Sequence, residues 1–168
     1  DCCGSLSIGD LHAGGIIFYL DSTGCGGLVA ATSDQSTGSA WGCYQTEISG
    51  ADGTAIGTGE QNTNDIVNNS CQMGDGLISA AELCANYNDG TYSDWFLPSK
   101  DELNAMYQNI GPGNALGLGN VGVFESEAYW SSTESSVGGA FRQNFVNGNQ
   151  ATNFGKGTVL YVRAARAF

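Results

Sequence analysis

Six cysteines carry the most reactive side chains of this chain: Cys2, Cys3, Cys25, Cys43, Cys71 and Cys84. Zinc sites need Cys or His residues in closely spaced pairs, but no Cys-x-x-Cys pair is matched by a second pair, and the chain has one histidine. An even cysteine count in a glycine-rich acidic chain favours disulfide bonds, and therefore an extracellular or cell-surface location. We expect one bridge within the central group and at least one that ties the amino-terminal cysteines, with Cys25 as a candidate partner. Spacing leaves the connectivity open.

Acidic side chains offer a second kind of chemistry, the binding of calcium. Residues 75–82 resemble the second half of an EF-hand loop, in which a glutamate seven positions after an aspartate chelates the ion. Cys71 and Met73 stand where the first half would supply oxygen ligands, so we favour a helix start with Glu82 in solvent. A structural calcium ion held by other carboxylates stays open, with Glu125, Glu127 and Glu134 as candidates. We expect no other metal or cofactor.

The sequence contains no evident set of catalytic residues. His12 would need a nucleophile, an orienting acid and an oxyanion donor around it, and the sequence proposes none of them. We therefore interpret His12 as a surface or interface residue. The three tryptophans could stack on sugar rings, but each lies beside a predicted strand, which favours core packing for Trp41, Trp95 and Trp130.

The charge balance excludes several partners. Seventeen acidic and five basic residues give a net charge of −12, which repels nucleic acid and anionic membrane surfaces. No apolar run approaches the roughly 18 to 20 residues that a membrane span needs, so we expect no membrane insertion. The carboxyl-terminal Arg163 and Arg166 are expected to pair with carboxylates inside the fold, namely Asp101, Glu102 or Glu134.

Short elements must position these residues. Pro98 ends an extended segment, Ser99 can cap free backbone amides and Glu102 completes a capping box, which together predict a helix start. Its buried face is predicted from helical spacing to hold Leu103, Met106, Tyr107 and Ile110. Other predicted elements are a β-hairpin of residues 15–20 and 28–31, helices at 63–68 and 78–87, strands at 129–132, 140–146 and 159–163, and a tight turn at Asn147 and Gly148.

The first ten residues form an amino-terminal arm ahead of one domain at residues 11–168. Cys2 and Cys3 are adjacent, so they must bond to two different partners. Leu6 and Ile8 alternate with serines, as in a short strand that pairs with a sheet edge of its own domain or of the next subunit. Pairing with the next subunit would build a filament, whereas the alternative is an arm that folds back on its own domain.

The order of several sequence blocks resembles the domain family at the carboxyl end of collagen-like bacterial adhesins. The blocks include residues 14–20, 27–31, 62–67 and 80–84, Trp95 to Leu103, Tyr129 to Glu134, and Val162 to Phe168. This resemblance implies an α+β, C-type-lectin-like fold with small antiparallel sheets, two or three flanking helices, long loops, and first and last strands that pair. The calcium-dependent sugar site of that fold would need a Glu-Pro-Asn or Gln-Pro-Asp loop, and neither Pro98 nor Pro112 lies in one. The related formylglycine-generating enzymes use cysteines in their carboxyl-terminal half, whereas here none follows Cys84.

These observations predict a non-catalytic extracellular structural module of a microbial surface. The leading hypothesis is a subunit that binds copies of itself head-to-tail through its arm and builds fibres. The alternative is an adhesin-type domain that binds a glycan or a host surface protein.

Overall fold

The computed structural model describes residues 4–71 and 77–168. These residues form nine strands and three helices in an α+β arrangement of two small sheets. The expected fold class, small sheets with up to three helices and long loops, is confirmed at this level. Within the same residues, no helix has both the length and the apolar character to cross a membrane.

The first sheet contains the predicted hairpin. Its strands are β1 (Leu11–His12), β2 (Gly15–Leu20), β3 (Gly27–Ala31) and β9 (Ala165–Ala167), all antiparallel in the order β1-β2-β3-β9. Side chains of β2 alternate between two hydrophobic clusters, because Ile17 belongs to one and Ile16 and Phe18 to the other. Burial on both faces explains why this strand reads as a nearly continuous apolar run.

The expectation that the first and last strands pair is wrong. β9 pairs with β3, with Leu28 opposite Ala167, and β1 lies at the far edge against β2. A tight turn at Ala13 and Gly14, both with positive φ, folds β1 directly onto β2. The carboxyl-terminal strand β9 therefore pairs with the edge of β3 that faces away from β2.

The second sheet has five strands in the order β4-β8-β5-β6-β7. Their bounds are β4 (Ser36–Ser39), β5 (Ala128–Ser136), β6 (Gly139–Asn144), β7 (Gln150–Gly155) and β8 (Leu160–Val162). β5 and β8 run parallel, so the expectation of antiparallel sheets is wrong for this pair, and the other pairs are antiparallel. The predicted turn is confirmed, since Gly148 has φ +78° and its N–H donates to the Asn144 carbonyl at 2.7 Å.

The three helices are α1 (Gly59–Asn68), α2 (Ala80–Ala85) and α3 (Lys100–Asn109). The capping box of α3 is confirmed, with the Ser99 hydroxyl accepting from the Glu102 N–H and the Glu102 carboxylate accepting from the Ser99 N–H. The same fully buried carboxylate accepts from the N–H groups of Gly57 and Gly59, at 2.8 and 3.4 Å. One glutamate thus serves the starts of two helices, because Thr58 makes no side-chain cap for α1.

All three tryptophans lie in the core, as predicted. Trp41 and Trp130 are fully buried and Trp95 is 3% exposed. The indole N–H groups donate to backbone carbonyls, Trp41 to Ser131 and Trp130 to Ser39. Consequently these rings present no free face to a sugar.

Candidate functional site

An apolar groove lies beside β4 on the described surface. It has a volume of about 390 Å³ and no charged residue in its lining, which consists of Ser36, Gly38, Ser39, Ala40, Leu77, Ile78, Leu83, Gly157 and Val159. Leu77 and Val159 are each 64% exposed and Ile78 is 41% exposed. Grouped apolar side chains at an exposed rim are a common mark of an interaction surface.

Local structure explains why these side chains stay at the rim. Ser79 caps α2: its hydroxyl accepts from the Glu82 N–H at 3.2 Å, and the Glu82 carboxylate accepts from the Ser79 N–H at 2.8 Å. The Ala80 N–H donates to the Ala40 carbonyl at 3.1 Å, which ties the helix start to the chain after β4. Leu77 and Ile78 precede this fixed point and are held beside β4. The predicted helix start is confirmed, while Glu82 is half-buried and its carboxylate completes the cap instead of standing free in solvent.

The strand β4 is the terminal strand of the five-stranded sheet, and β7 is the terminal strand at the opposite end. Within the part of the chain that the structure describes, no further strand lies outside either of them. Terminal strands present backbone N–H and C=O groups that another chain can pair with. The groove therefore combines the edge of a terminal strand, where the Ser36 hydroxyl already accepts from the Gly38 N–H, with apolar side chains next to it.

The cysteines divide into three groups. Cys43 and Cys71 form a disulfide, which confirms the bridge predicted within the central group. Cys25 is also disulfide-bonded, while Cys2 and Cys3 lie outside the described residues. The prediction that Cys84 takes part in a bridge is wrong: its thiol is free and fully buried on α2, and burial raises its pKa. A cysteine on the apolar face of a helix behaves as a small hydrophobic residue.

The described part of the arm folds back on its own domain. Residues 4–10 contain a turn and no strand, so the strand predicted around Leu6 and Ile8 is wrong. Both side chains are partly buried against the hydrophobic clusters. Backbone bonds of 2.8 and 2.9 Å, from Gly9 N–H to the Ile17 carbonyl and from Ile17 N–H to the Asp10 carbonyl, hold the arm along β2.

The calcium candidates do not converge. Glu134 is 7% exposed and forms a buried ion pair with Lys156, whose ammonium group also donates to the Thr46 carbonyl at 2.7 Å. The residues described include no group of three or more His, Cys, Asp or Glu placed to hold a metal ion. Asp75 of the EF-like segment lies outside the described residues.

Lys156 is a structural residue that sequence reasoning missed. It is fully buried, its ammonium lies 4.7 Å from the centre of the Trp41 ring, and the paired Glu134 carboxylate accepts from the Ile48 N–H at 2.9 Å. This network holds the loop after Trp41 against the second sheet. The only signal in the sequence was a single lysine flanked by Gly155 and Gly157.

The two carboxyl-terminal arginines pair with other acids than predicted. Arg163 is 1% exposed and donates to Asp34 at 2.6 Å, and Arg166 pairs with Asp94. Asp34 also accepts from the Tyr129 hydroxyl at 3.1 Å, and burial together with this carboxylate raises the pKa of Tyr129. Asp34 directly follows the first sheet, whereas the predicted partners lie on α3 and β5, where Glu102 and Glu134 are already engaged.

His12 is exposed and packs edge-on against the Phe168 ring, with ring centres 4.7 Å apart. The ring therefore lies on the surface, as predicted for this residue. Its contact is a packing contact at the edge of the first sheet.

Comparison with known proteins gives no further guide: no protein-family model matches the chain, and no curated protein matches it in sequence.

Proposed function

We propose that this chain is a non-catalytic, extracellular structural module of a microbial surface whose copies associate head-to-tail into fibres. The observation that carries the proposal is the groove beside β4, where the edge of a terminal strand adjoins exposed Leu77, Ile78 and Val159. A strand from a second copy that pairs with β4 would also cover these side chains. We further propose that the α+β fold is a C-type-lectin-like variant.

The chemistry of the two sheet edges favours head-to-tail contact over two-fold pairing. β4 adjoins the apolar groove, whereas β7 is polar, with Thr152 and Asn153 exposed. Contact between two different surfaces leaves one of each free at every step and so propagates. β4 of one copy beside β7 of the next would extend one sheet from subunit to subunit.

The buried charged groups support a structural role. Glu102, Lys156 and Arg163 are at most 1% exposed, and each is held by backbone groups or by an opposite charge. A general acid or base must instead reach the substrate. The Cys43–Cys71 bridge supports an oxidising, extracellular location.

The proposed contact lies at the sheet edges and not in the arm. An exchange of the arm would require Leu6 and Ile8 to leave the hydrophobic clusters and the arm to break its bonds to Ile17. Apolar burial stabilises by about 25 cal/mol per Å², so release of both side chains sets a barrier to exchange, although a copy that receives the arm would bury them again. Pairing at β4 and β7 needs no such release.

Sedimentation velocity over a wide concentration range, with electron micrographs of the concentrated samples, tests the proposal. We expect concentration-dependent assembly that Val159→Asp strongly weakens, because a carboxylate would have to enter the apolar contact. Val123→Asp is the matched control, since Val123 is 67% exposed outside the groove. A wild-type chain that stays monomeric throughout would refute self-association.

The alternative, an adhesin-type domain, is favoured by one aspect of the same groove. An apolar pocket of about 390 Å³ suits side chains of a foreign protein as well as those of a second copy. Glycan binding has less support, because the three tryptophans are buried. Saturable binding of a host protein by a monomeric chain, lost in Val159→Asp, would favour this alternative.

A further inference from the structure

Arg142 stands apart from the other cations of the chain. Lys100, Lys156, Arg163 and Arg166 each form an ion pair with a carboxylate. Arg142 pairs with no carboxylate among the residues that the structure describes, although the chain carries seventeen acidic residues.

The guanidinium group of Arg142 is fixed in place without being hydrogen-bonded. Its central carbon lies 4.6 Å from the centre of the Phe154 ring on β7. The Nε atom is buried and has no hydrogen-bond partner. The two terminal nitrogens are not among the buried unpaired atoms, and no described residue accepts a bond from them, so they face solvent.

The sheet register puts this group close to the polar edge. Arg142 lies on β6 opposite Trp130 on one side and Ala151 on the other. β7, which carries Ala151 and Phe154, is the last strand of the sheet. A chain that approaches the β7 edge therefore meets the two outward N–H₂ groups of Arg142 one strand in.

We propose that Arg142 binds a carboxylate of the next copy of this chain, in a contact at the β7 edge. A carboxylate offers two oxygens at the spacing that two guanidinium nitrogens match, and the ring of Phe154 already packs against the group. The chain itself supplies the complementary charge, because seventeen acidic residues leave a net charge of −12. This inference rests on the proposed self-association.

The proposed ion pair would offset the electrostatic repulsion between copies in the assembly. Two copies that each carry a charge of −12 repel one another, and an arginine facing an acid at the contact replaces repulsion with attraction locally. The apolar groove at β4 has no charged residue in its lining, so the carboxylate that meets Arg142 must lie outside the groove, on the surface around it. Arg142 thus gives the β7 edge a recognition element that the β4 edge lacks.

Sedimentation velocity of the full chain and its variants tests this inference. We expect Arg142→Gln to weaken association at least tenfold and Arg142→Lys to weaken it less, since lysine keeps the charge but loses the two-pronged geometry. Lys100→Gln makes the same change in net charge, and its partner is the neighbouring Asp101 at 3.6 Å, so we expect association close to wild type.

Three results would overturn the inference. The first is that Arg142→Gln assembles like wild type. The second is that Lys100→Gln weakens assembly as much as Arg142→Gln, which would mean that net charge alone explains the effect. In either case self-association itself stands. A wild-type chain that never assembles would overturn the proposed function together with this inference. If circular dichroism shows that Arg142→Gln does not fold, the association of Arg142→Lys is compared with that of wild type instead.

Discussion

Replacing Lys156 with methionine tests the buried ion pair most sharply. Lys156 is fully buried, and it pairs with Glu134, donates to the Thr46 carbonyl at 2.7 Å and lies over the Trp41 ring. The substitution would leave the Glu134 carboxylate buried without its counter-charge, a situation that costs about 3–5 kcal/mol. For a chain of this size we expect the melting temperature to fall by roughly 6–20 °C.

Urea denaturation followed by tryptophan fluorescence measures this loss. Lys100→Met is the matched control, because the side chains of Lys100 and Asp101 are 29% and 47% exposed. A partly solvated pair of this kind contributes about 0–1 kcal/mol. The double variant Lys156→Met with Glu134→Leu should be more stable than Lys156→Met alone, since it removes the uncompensated charge. A Lys156→Met chain within about 1 kcal/mol of wild type would refute the argument.

Three further predictions concern the cysteines and Glu102. Removing the Cys43–Cys71 bridge by paired serine substitutions, which opens a loop with a sequence separation of 28, should lower the free energy of unfolding by about 3.6 kcal/mol; an unchanged urea midpoint would contradict this. Cys84 should resist iodoacetamide in the native protein and react only on unfolding, because burial raises its pKa; mass spectrometry that finds rapid native labelling would contradict its burial. Burial is the largest cause that raises the pKa of Glu102, so its folded pKa exceeds the unfolded one and its contribution to stability is lost as pH rises above the ordinary value of 4.5. The stability of Glu102→Gln relative to wild type should therefore increase from pH 4 to pH 7, and a decrease would mean that the backbone N–H bonds outweigh burial.

The elements that were predicted correctly are those that a short local sequence pattern specifies. The capping box at Ser99 and Glu102 is specified by two residues and a proline, and the turn at Gly148 by a residue pair that tolerates positive φ. The hairpin of the first sheet followed from two apolar runs. The helix α1 was predicted to begin at residue 63 but begins at Gly59, because its cap comes from Glu102, 43 residues away.

Long-range pairing explains what was missed. β7 and β9 lack an apolar alternation of their own, so their partners decide that they are strands. The partners of Arg163 and Arg166 depend on which acids the fold brings near, and Asp34 is 129 residues from Arg163 in the chain. The groove could not be predicted for the same reason, since Leu77 and Val159 come together only where α2 packs near β8 and its start is bonded to Ala40. An apolar pair before a helix cap was its one local signal.

Hydrogen exchange of dilute and concentrated protein, followed by mass spectrometry, tests the central claim most directly. If copies associate head-to-tail through the two ends of the five-stranded sheet, backbone amides in Ser36–Ser39 and in Gln150–Gly155 should both exchange more slowly in the concentrated sample, while those of Leu11–His12 stay unchanged. Assembly that leaves exchange in both edge strands unchanged would contradict the account.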